Sequence, residues 1–325
     1  MRLPISPPAR NDRLHNGEGA NKGPFSNPVS ARILPGQAPA PAGMRRTPTI
    51  QPVSIEHYEN FPVASWLCPP QFRAPVAAIY WFARIADDLA DEGAMPAPRR
   101  LELLTAYRAD LHACAQGRPL SGQWLAVFSA LGPVINQHAL PLPLLDALLD
   151  AFEQDVRNPH YADRAQLLDY CARSANPIGR LLLHLYQVND PTSLAQSDAI
   201  CSALQLINFW QDLSVDLPRG RLYVPIDDLQ QHDLTAAQLF NRQDSASARA
   251  LVRSLSQWAA LLMAQGAPLA RRIPGRAGWE LRLVVQGGLR ILEKIAQMDH
   301  ASLQSRPALR RHDAPLLLWR ALWAD

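Results

Sequence analysis

The spacing of apolar side chains beyond residue 50 points to a helical fold and leaves little room for any other. Apolar residues recur at intervals of three and four in Val76, Ile79, Tyr80 and Ala83, and again in Leu144, Leu145, Leu148 and Phe152. At that period side chains share one face of an α-helix. The strand-favouring residues are scarce: Val, Ile and Thr make up 32 of 325 residues, whereas Leu, Ala, Gln and Arg dominate. The pattern predicts helices near 73–92, 97–117, 121–138, 143–156, 163–188, 194–217, 245–266, 276–299 and 306–322. Breakers separate most of them, including Pro96/Pro98, Gly117–Pro119, Pro141/Pro143, Asn158–Pro159, Pro191, Pro218–Gly220 and Pro274–Gly275. No repeat of fixed period appears and the connections are short, so residues 51–325 are expected to form one all-α domain.

The charge is unevenly distributed. The formal net charge of +3 combines 32 basic and 29 acidic residues, but residues 1–50 hold seven Lys/Arg against two Asp/Glu and nine of the 29 prolines. That segment reads as a disordered, basic, Pro-rich leader. The remaining 25 basic and 27 acidic residues leave a nearly neutral body, which excludes a broad nucleic-acid footprint. Cys68, Cys114, Cys171 and Cys201 lie far apart with no C-x-x-C pair, the usage expected of a reduced, cytoplasmic protein. No apolar run approaches the roughly 20 residues that span a bilayer, and the leader lacks the apolar core of a signal peptide.

Two acidic stretches interrupt otherwise apolar helices. In Ala86-Asp87-Asp88-Leu89-Ala90-Asp91-Glu92, Asp87 and Asp91 stack one turn apart on one face, and Asp88 and Glu92 on the next. Like charges at this spacing repel, and carboxylates near a helix C-terminus oppose its dipole, so a compensating cation is expected. In the second stretch, Asn208, Asp212 and Asp216 follow at i, i+4 and i+8. These are oxygen ligands of the kind hard Mg²⁺ prefers, with no soft ligand among them. Facing each other, the two stretches would hold a Mg²⁺–diphosphate between them and make ionisation of a carbon–oxygen bond feasible. Arg84, one turn before the first stretch, reaches either diphosphate oxygens or the carboxylates of Asp87 and Asp88.

The run His57-Tyr58-Glu59-Asn60-Phe61-Pro62-Val63-Ala64-Ser65 resembles the opening of the squalene/phytoene synthase family. So do Tyr80-x-x-x-Arg84-x-x-Asp87-Asp88-x-x-Asp91-Glu92 and Gln205-Leu206-Ile207-Asn208-Phe209-Trp210-Gln211-Asp212-x-x-x-Asp216, followed by Arg219-Gly220-Arg221-Leu222-Tyr223-Val224-Pro225. Within that family the His57–Ser65 run and Tyr170-Cys171-Ala172-Arg173-Ser174-Ala175-Asn176-Pro177-Ile178-Gly179-Arg180 resemble the hydroxysqualene synthase branch. Where many relatives have a Val-Ala-Gly pattern, this chain has Ser174-Ala175-Asn176-Pro177.

The resemblance implies an isoprenoid synthase-type helical bundle around a central apolar cavity. It also implies a reaction in which presqualene diphosphate ionises, rearranges and is captured by water. Asp87, Asp91, Asn208, Asp212 and Asp216 become the expected ligands of two or three Mg²⁺ ions bridging the substrate diphosphate, with Asp88 and Glu92 behind them. Tyr223 is expected to act with these carboxylates in catalysis, and Arg84, Tyr80, Arg221, Asn176 and Phe61 to contact substrate. Phe209 and Trp210 are either cavity lining or plain core. Pro177 and Gly179 mark either an architectural kink or a freed carbonyl that, with Asn176, orients water. Other enzymes of the squalene pathway and a peripheral membrane surface are the expected partners. The alternatives are head-to-head condensation of two farnesyl diphosphates, and a non-catalytic helical isoprenoid-binding protein.

Overall fold

Proline placement and short polar caps set where the helices begin. The computed structural model describes residues 67–91 and 95–323. The elements are α1 (Pro70–Asp91), α2 (Ala97–Ala115), α3 (Leu125–His138), α4 (Leu142–Arg157), α5 (Arg164–Ser174), α6 (Asn176–Leu185), α7 (Pro191–Gln211) and α8 (Leu213–Asp216). A 3₁₀ turn at Leu217–Arg219 leads to α9 (Ile226–Gln231), α10 (Ala236–Phe240), α11 (Ala246–Gly266), α12 (Leu269–Arg272), α13 (Gly275–Gln297) and α14 (Ala314–Trp323). There is no strand among the described residues. Prolines occupy the first turn of α2, α4, α6 and α7, where the missing N–H is not needed. Asp163, Asp190, Thr235 and Ser245 cap α5, α7, α10 and α11 by accepting from the amide three residues on.

Two hydrophobic cores form side by side. The first joins α1, α2, α3 and α4 around Phe82, Tyr107 and Phe128. Tyr107 stacks on Phe82 at 5.3 Å and donates its hydroxyl to the Phe82 carbonyl at 3.1 Å. The second core joins α5, α7, α11 and α13 around Tyr170, Phe209 and Trp210. Helices α4 and α6 serve both: Leu181 and Leu185 enter the first core, Leu183 the second. The close approach of α6 to α7 depends on Gly179, where a Cβ would lie 2.3 Å from Ser197 Oγ and 2.6 Å from Cys201 Sγ. The two acidic stretches therefore sit on helices of different cores, α1 and α7.

Three helix expectations change. The span 163–188 is two helices: the backbone leaves helical geometry at Ala175 (φ −121°, ψ −47°) and restarts with Pro177 in the first turn of α6. Pro177 thus starts a helix and does not kink one. The span 194–217 ends as a regular helix at Gln211, and the last helix begins at Ala314, eight residues after the expected 306. Side-chain contacts of Arg306 and Asp313 hold the intervening segment. The helices at 226–231, 236–240 and 269–272 are too short to show an apolar period. No helix among the described residues is long and apolar enough to cross a membrane.

Candidate active site

Asp87 and Asp88 are neighbours in the chain, and α1 sends them to opposite environments. Asp87 is 6% exposed, and its carboxyl is pushed well above the usual carboxylate range, first by burial and then by the charge of Asp91. Asp88 lies further out and pairs with Arg84 at 2.6 Å, while Arg84 passes Asp87 at 3.7 Å. The ion pair expected of Arg84 is thus formed, with Asp88 as the nearer partner. Glu92 and Phe61 lie outside the described residues, as do His57 and Tyr58. Tyr80 is buried on the same helix, edge-on to Trp81 with ring centroids 5.4 Å apart.

The second stretch leaves helical geometry at Asp212 (φ −97°, ψ 9°) and resumes it in α8. Asp212 closes α7, its amide donating to the Asn208 carbonyl at 2.9 Å. The amides of Val215 and Asp216 each return to the Asp212 carbonyl at 2.8 Å, so a helical course continues through α8. Asp212 and Asp216 are 5% and 2% exposed, whereas Asn208 is half-buried. Arg306 Nε donates to Asp212 Oδ1, and Gln211 Nε2 donates to the Pro307 carbonyl at 2.6 Å. Those two bonds draw the segment before α14 across the second acidic stretch.

Arg221 links the two stretches. Gly220 turns the chain after the 3₁₀ segment in the left-handed region (φ +73°), which suits a residue without a Cβ. The amide of Arg221 then donates to the Asp216 carbonyl at 3.1 Å. Its guanidinium grips Asp91 with both arms, at 2.9 Å to Oδ2 and 2.5 Å to Oδ1, across 130 residues of sequence. The carboxylate at the end of α1 and the backbone of the second stretch thus lie within one arginine side chain of each other. Among the described residues no group of three or more His, Cys, Asp or Glu converges as a preassembled ion site. In this arrangement Asp88, Asp91 and Asp212 each meet a guanidinium group.

An aromatic cluster borders these charges. Tyr223 stacks face to face on Phe209, with centroids 3.9 Å apart and planes at 7°. Tyr170 lies 6.2 Å from Phe209 and 6.1 Å from Tyr223, and Tyr161 lies 5.6 Å from Tyr170. The Tyr170 hydroxyl donates to Asp155, 2.8 Å and 2.9 Å from its two oxygens. Burial, then the Asp155 charge, raises the Tyr170 phenol well above its ordinary value. The field of Asp155 also reaches Asp87 and Arg221. Trp210 is fully buried against Trp258 in the second core, the plain-core outcome of its two expectations. At the helix break, Asn176 is buried and its Oδ1 accepts from Ser202 Oγ at 2.9 Å.

Arg306, Asp155 and the hydroxyl of Tyr170 escaped the sequence reading as site groups. Arg306 stood where a helix was expected to begin, and Asp155 stood within the helix expected at 143–156 without further signal. Only the Ser305-Arg306-Pro307 setting signalled that Arg306 lies on extended chain, because a residue before proline avoids the α region.

The chain is similar to known proteins along most of its length. Residues 55–313 match the squalene/phytoene synthase family model. The chain is 32% identical over 268 residues to the hydroxysqualene synthase of Sinorhizobium fredii, covering 82% of this chain and 87% of that protein. It is likewise 32% identical to the hydroxysqualene synthase of Rhodopseudomonas palustris, over 75% of this chain and 82% of the relative. Among solved structures, the squalene synthase HpnC from Alicyclobacillus acidocaldarius superposes with a TM-score of 0.67 at 32% identity, covering 73% of this chain and 88% of that one. A dehydrosqualene synthase at 20% identity shares the fold, with a TM-score of 0.67 over 78% of this chain and 86% of its own. The family match and the long relatives decide the assignment: the chain belongs to the squalene/phytoene synthase family of enzymes that act on prenyl diphosphates.

Proposed function

We propose that this enzyme converts presqualene diphosphate and water to hydroxysqualene and diphosphate. The observation that carries the chemistry is Arg221, whose amide bonds the Asp216 carbonyl while its guanidinium clasps Asp91, so that one residue links the end of α1 to the backbone of the second acidic stretch. The branch is supported by the 32% identity to hydroxysqualene synthases over most of both chains. The carbon–oxygen bond to diphosphate breaks with its electron pair going to diphosphate. The rearranged carbocation then gains a bond to the oxygen of water, and that water loses one proton.

The residues support this division of labour. Arg84, Arg221 and Arg306 present N–H donors beside the acidic faces, where a departing diphosphate gains negative charge. Tyr223, Phe209 and Tyr170 offer aromatic faces, which attract a cation by their quadrupoles. Asn176, held by Ser202 at the break between α5 and α6, is assigned to orient the water. Asp87, Asp91, Asn208, Asp212 and Asp216 would hold Mg²⁺. The fit is favourable because every donor is a hard oxygen and the buried Asp87 carboxyl, beside the Asp91 charge, resists ionising without a further cation. Bound Mg²⁺ would supply Lewis-acid stabilisation of the diphosphate charge. We further assign the encounter with this greasy substrate to a cytoplasmic setting, at a membrane surface or by transfer from another enzyme of the squalene pathway.

The test is an incubation of purified protein with Mg²⁺ and either presqualene diphosphate or farnesyl diphosphate, without nicotinamide. Hydroxysqualene is expected from presqualene diphosphate alone. Product formed only from farnesyl diphosphate would overturn the assignment.

A further inference from the structure

The outward face of α14 is unlike the rest of the surface. Leu318, Trp319, Leu322 and Trp323 are 51%, 61%, 58% and 68% exposed. At positions i, i+1, i+4 and i+5 they form one continuous stripe along the helix. The opposite side is spoken for: Ala321 is buried, Leu316 and Leu317 are half-buried, and α14 packs along α13. Arg320 bonds Glu293 of α13. Just ahead of the helix, Asp313 receives Lys294 Nζ and Arg290 Nε, each at 2.9 Å. The stripe is therefore held facing outward on a fixed base. Trp319 and Trp323 lie against each other with centroids 5.6 Å apart.

Charge identifies the occupant. Arg310, Arg311 and His312 are all exposed at the N-terminal end of the stripe, and the sequence Ala314–Trp323 contains no acidic residue. Paired tryptophans with leucines, flanked by basic groups, match the boundary between lipid headgroups and acyl chains. The four side chains expose roughly 500 Å² together, judged from about 150–250 Å² per large aromatic. That is short of the roughly 800 Å² per partner that a standard protein interface buries. A second copy of the chain would also bring the same basic ends to the contact. Residues 1–50 carry excess positive charge themselves, seven Lys/Arg against two Asp/Glu, and so offer these basic groups no complementary charge.

We infer that α14 docks this enzyme on an anionic phospholipid bilayer, with Trp319, Trp323, Leu318 and Leu322 entering the interface and Arg310 and Arg311 meeting the headgroups. Through Arg306–Asp212 and Gln211–Pro307, the segment leading into this helix is tied to the second acidic stretch.

The experiment is vesicle flotation with the full-length protein and no substrate, so its result is independent of the reaction assigned above. Vesicles are phosphatidylcholine alone or phosphatidylcholine mixed with phosphatidylglycerol, at low and high salt. The wild-type chain is expected to float with the anionic vesicles, less so at high salt, with a blue shift of tryptophan emission. Trp319→Ser with Trp323→Ser should weaken partitioning at least roughly tenfold. Arg310→Gln and Arg311→Gln should each weaken it about fivefold, on anionic vesicles only. Unaltered thermal melting of each variant establishes that it is folded. Wild-type protein that does not float would overturn the inference. So would a tryptophan variant that floats like wild type, which would assign binding to the leader, or one that changes the oligomeric mass, which would assign the stripe to a second copy.

Discussion

Arg221→Gln separates the two demands on the acidic site. The Arg221 side chain is 14% exposed and that of Asp91 20% exposed, so the pair is largely but not wholly dry. Removing one partner of a fully buried ion pair costs about 3–5 kcal/mol. With a fifth of Asp91 still in contact with water, about 2 kcal/mol is the expected loss. In a protein of this size that lowers the melting temperature by about 3–4 °C. The same change removes a cation that Mg²⁺ must otherwise displace from Asp91. Those roughly 2 kcal/mol then appear as Mg²⁺ binding about thirtyfold tighter in the absence of substrate. Turnover should nonetheless fall about a hundredfold, because a donor to the departing diphosphate is gone. Scanning fluorimetry across a Mg²⁺ titration, together with diphosphate release, measures all three quantities. Arg221→Lys should fall between, since an ammonium keeps the charge but not the two-armed grip. A variant that melts like wild type and binds Mg²⁺ no more tightly would refute the view that Arg221 is the resident counter-ion of Asp91.

Asp87→Asn and Asp212→Asn should each reduce diphosphate release at least about a hundredfold, and excess chelator should abolish it; full turnover in chelator would rule out the metal role. Burial by itself raises the Asp313 carboxyl, but the Lys294 ammonium, the Arg310 amide at 2.7 Å and Arg290 outweigh it and hold the carboxyl far below its usual range. A depressed folded-state value contributes stability above the unfolded value of about 3.9 and loses it below. Thermal stability should therefore fall as pH drops from about 4 downward, and Asp313→Asn should flatten that fall, as read by melting curves across pH. Gly179→Ala should cost about 1–3 kcal/mol in denaturant unfolding, because its Cβ would press on Ser197 and Cys201 and force α6 off α7.

Much of the site was legible because it is written in local spacing. Asp87 and Asp91, or Asn208, Asp212 and Asp216, share a face wherever a helix forms, and the flanking apolar residues ensure that it forms. The neutralising cations carry no such signature. Arg221 meets Asp91 across 130 residues, and Arg306 meets Asp212 across 94. No periodicity links positions so far apart, so two of the three arginines reached their carboxylates only through the packing of separate helices. Arg84 was different: its partners lie within one turn of α1, and both of its readings were visible in advance.

By itself the sequence determined an all-α chain, most of its long helices and the two acidic stretches, since helical hydrogen bonds and side-chain period involve residues three or four apart. Tertiary structure alone decided that Asp87 turns inward while Asp88 meets Arg84 nearer the surface, that the helix after Asp163 stops at Ser174 and restarts, and that the stripe of α14 points outward. Burial decides each of these, and burial depends on which helices lie against one another, a property no local spacing encodes.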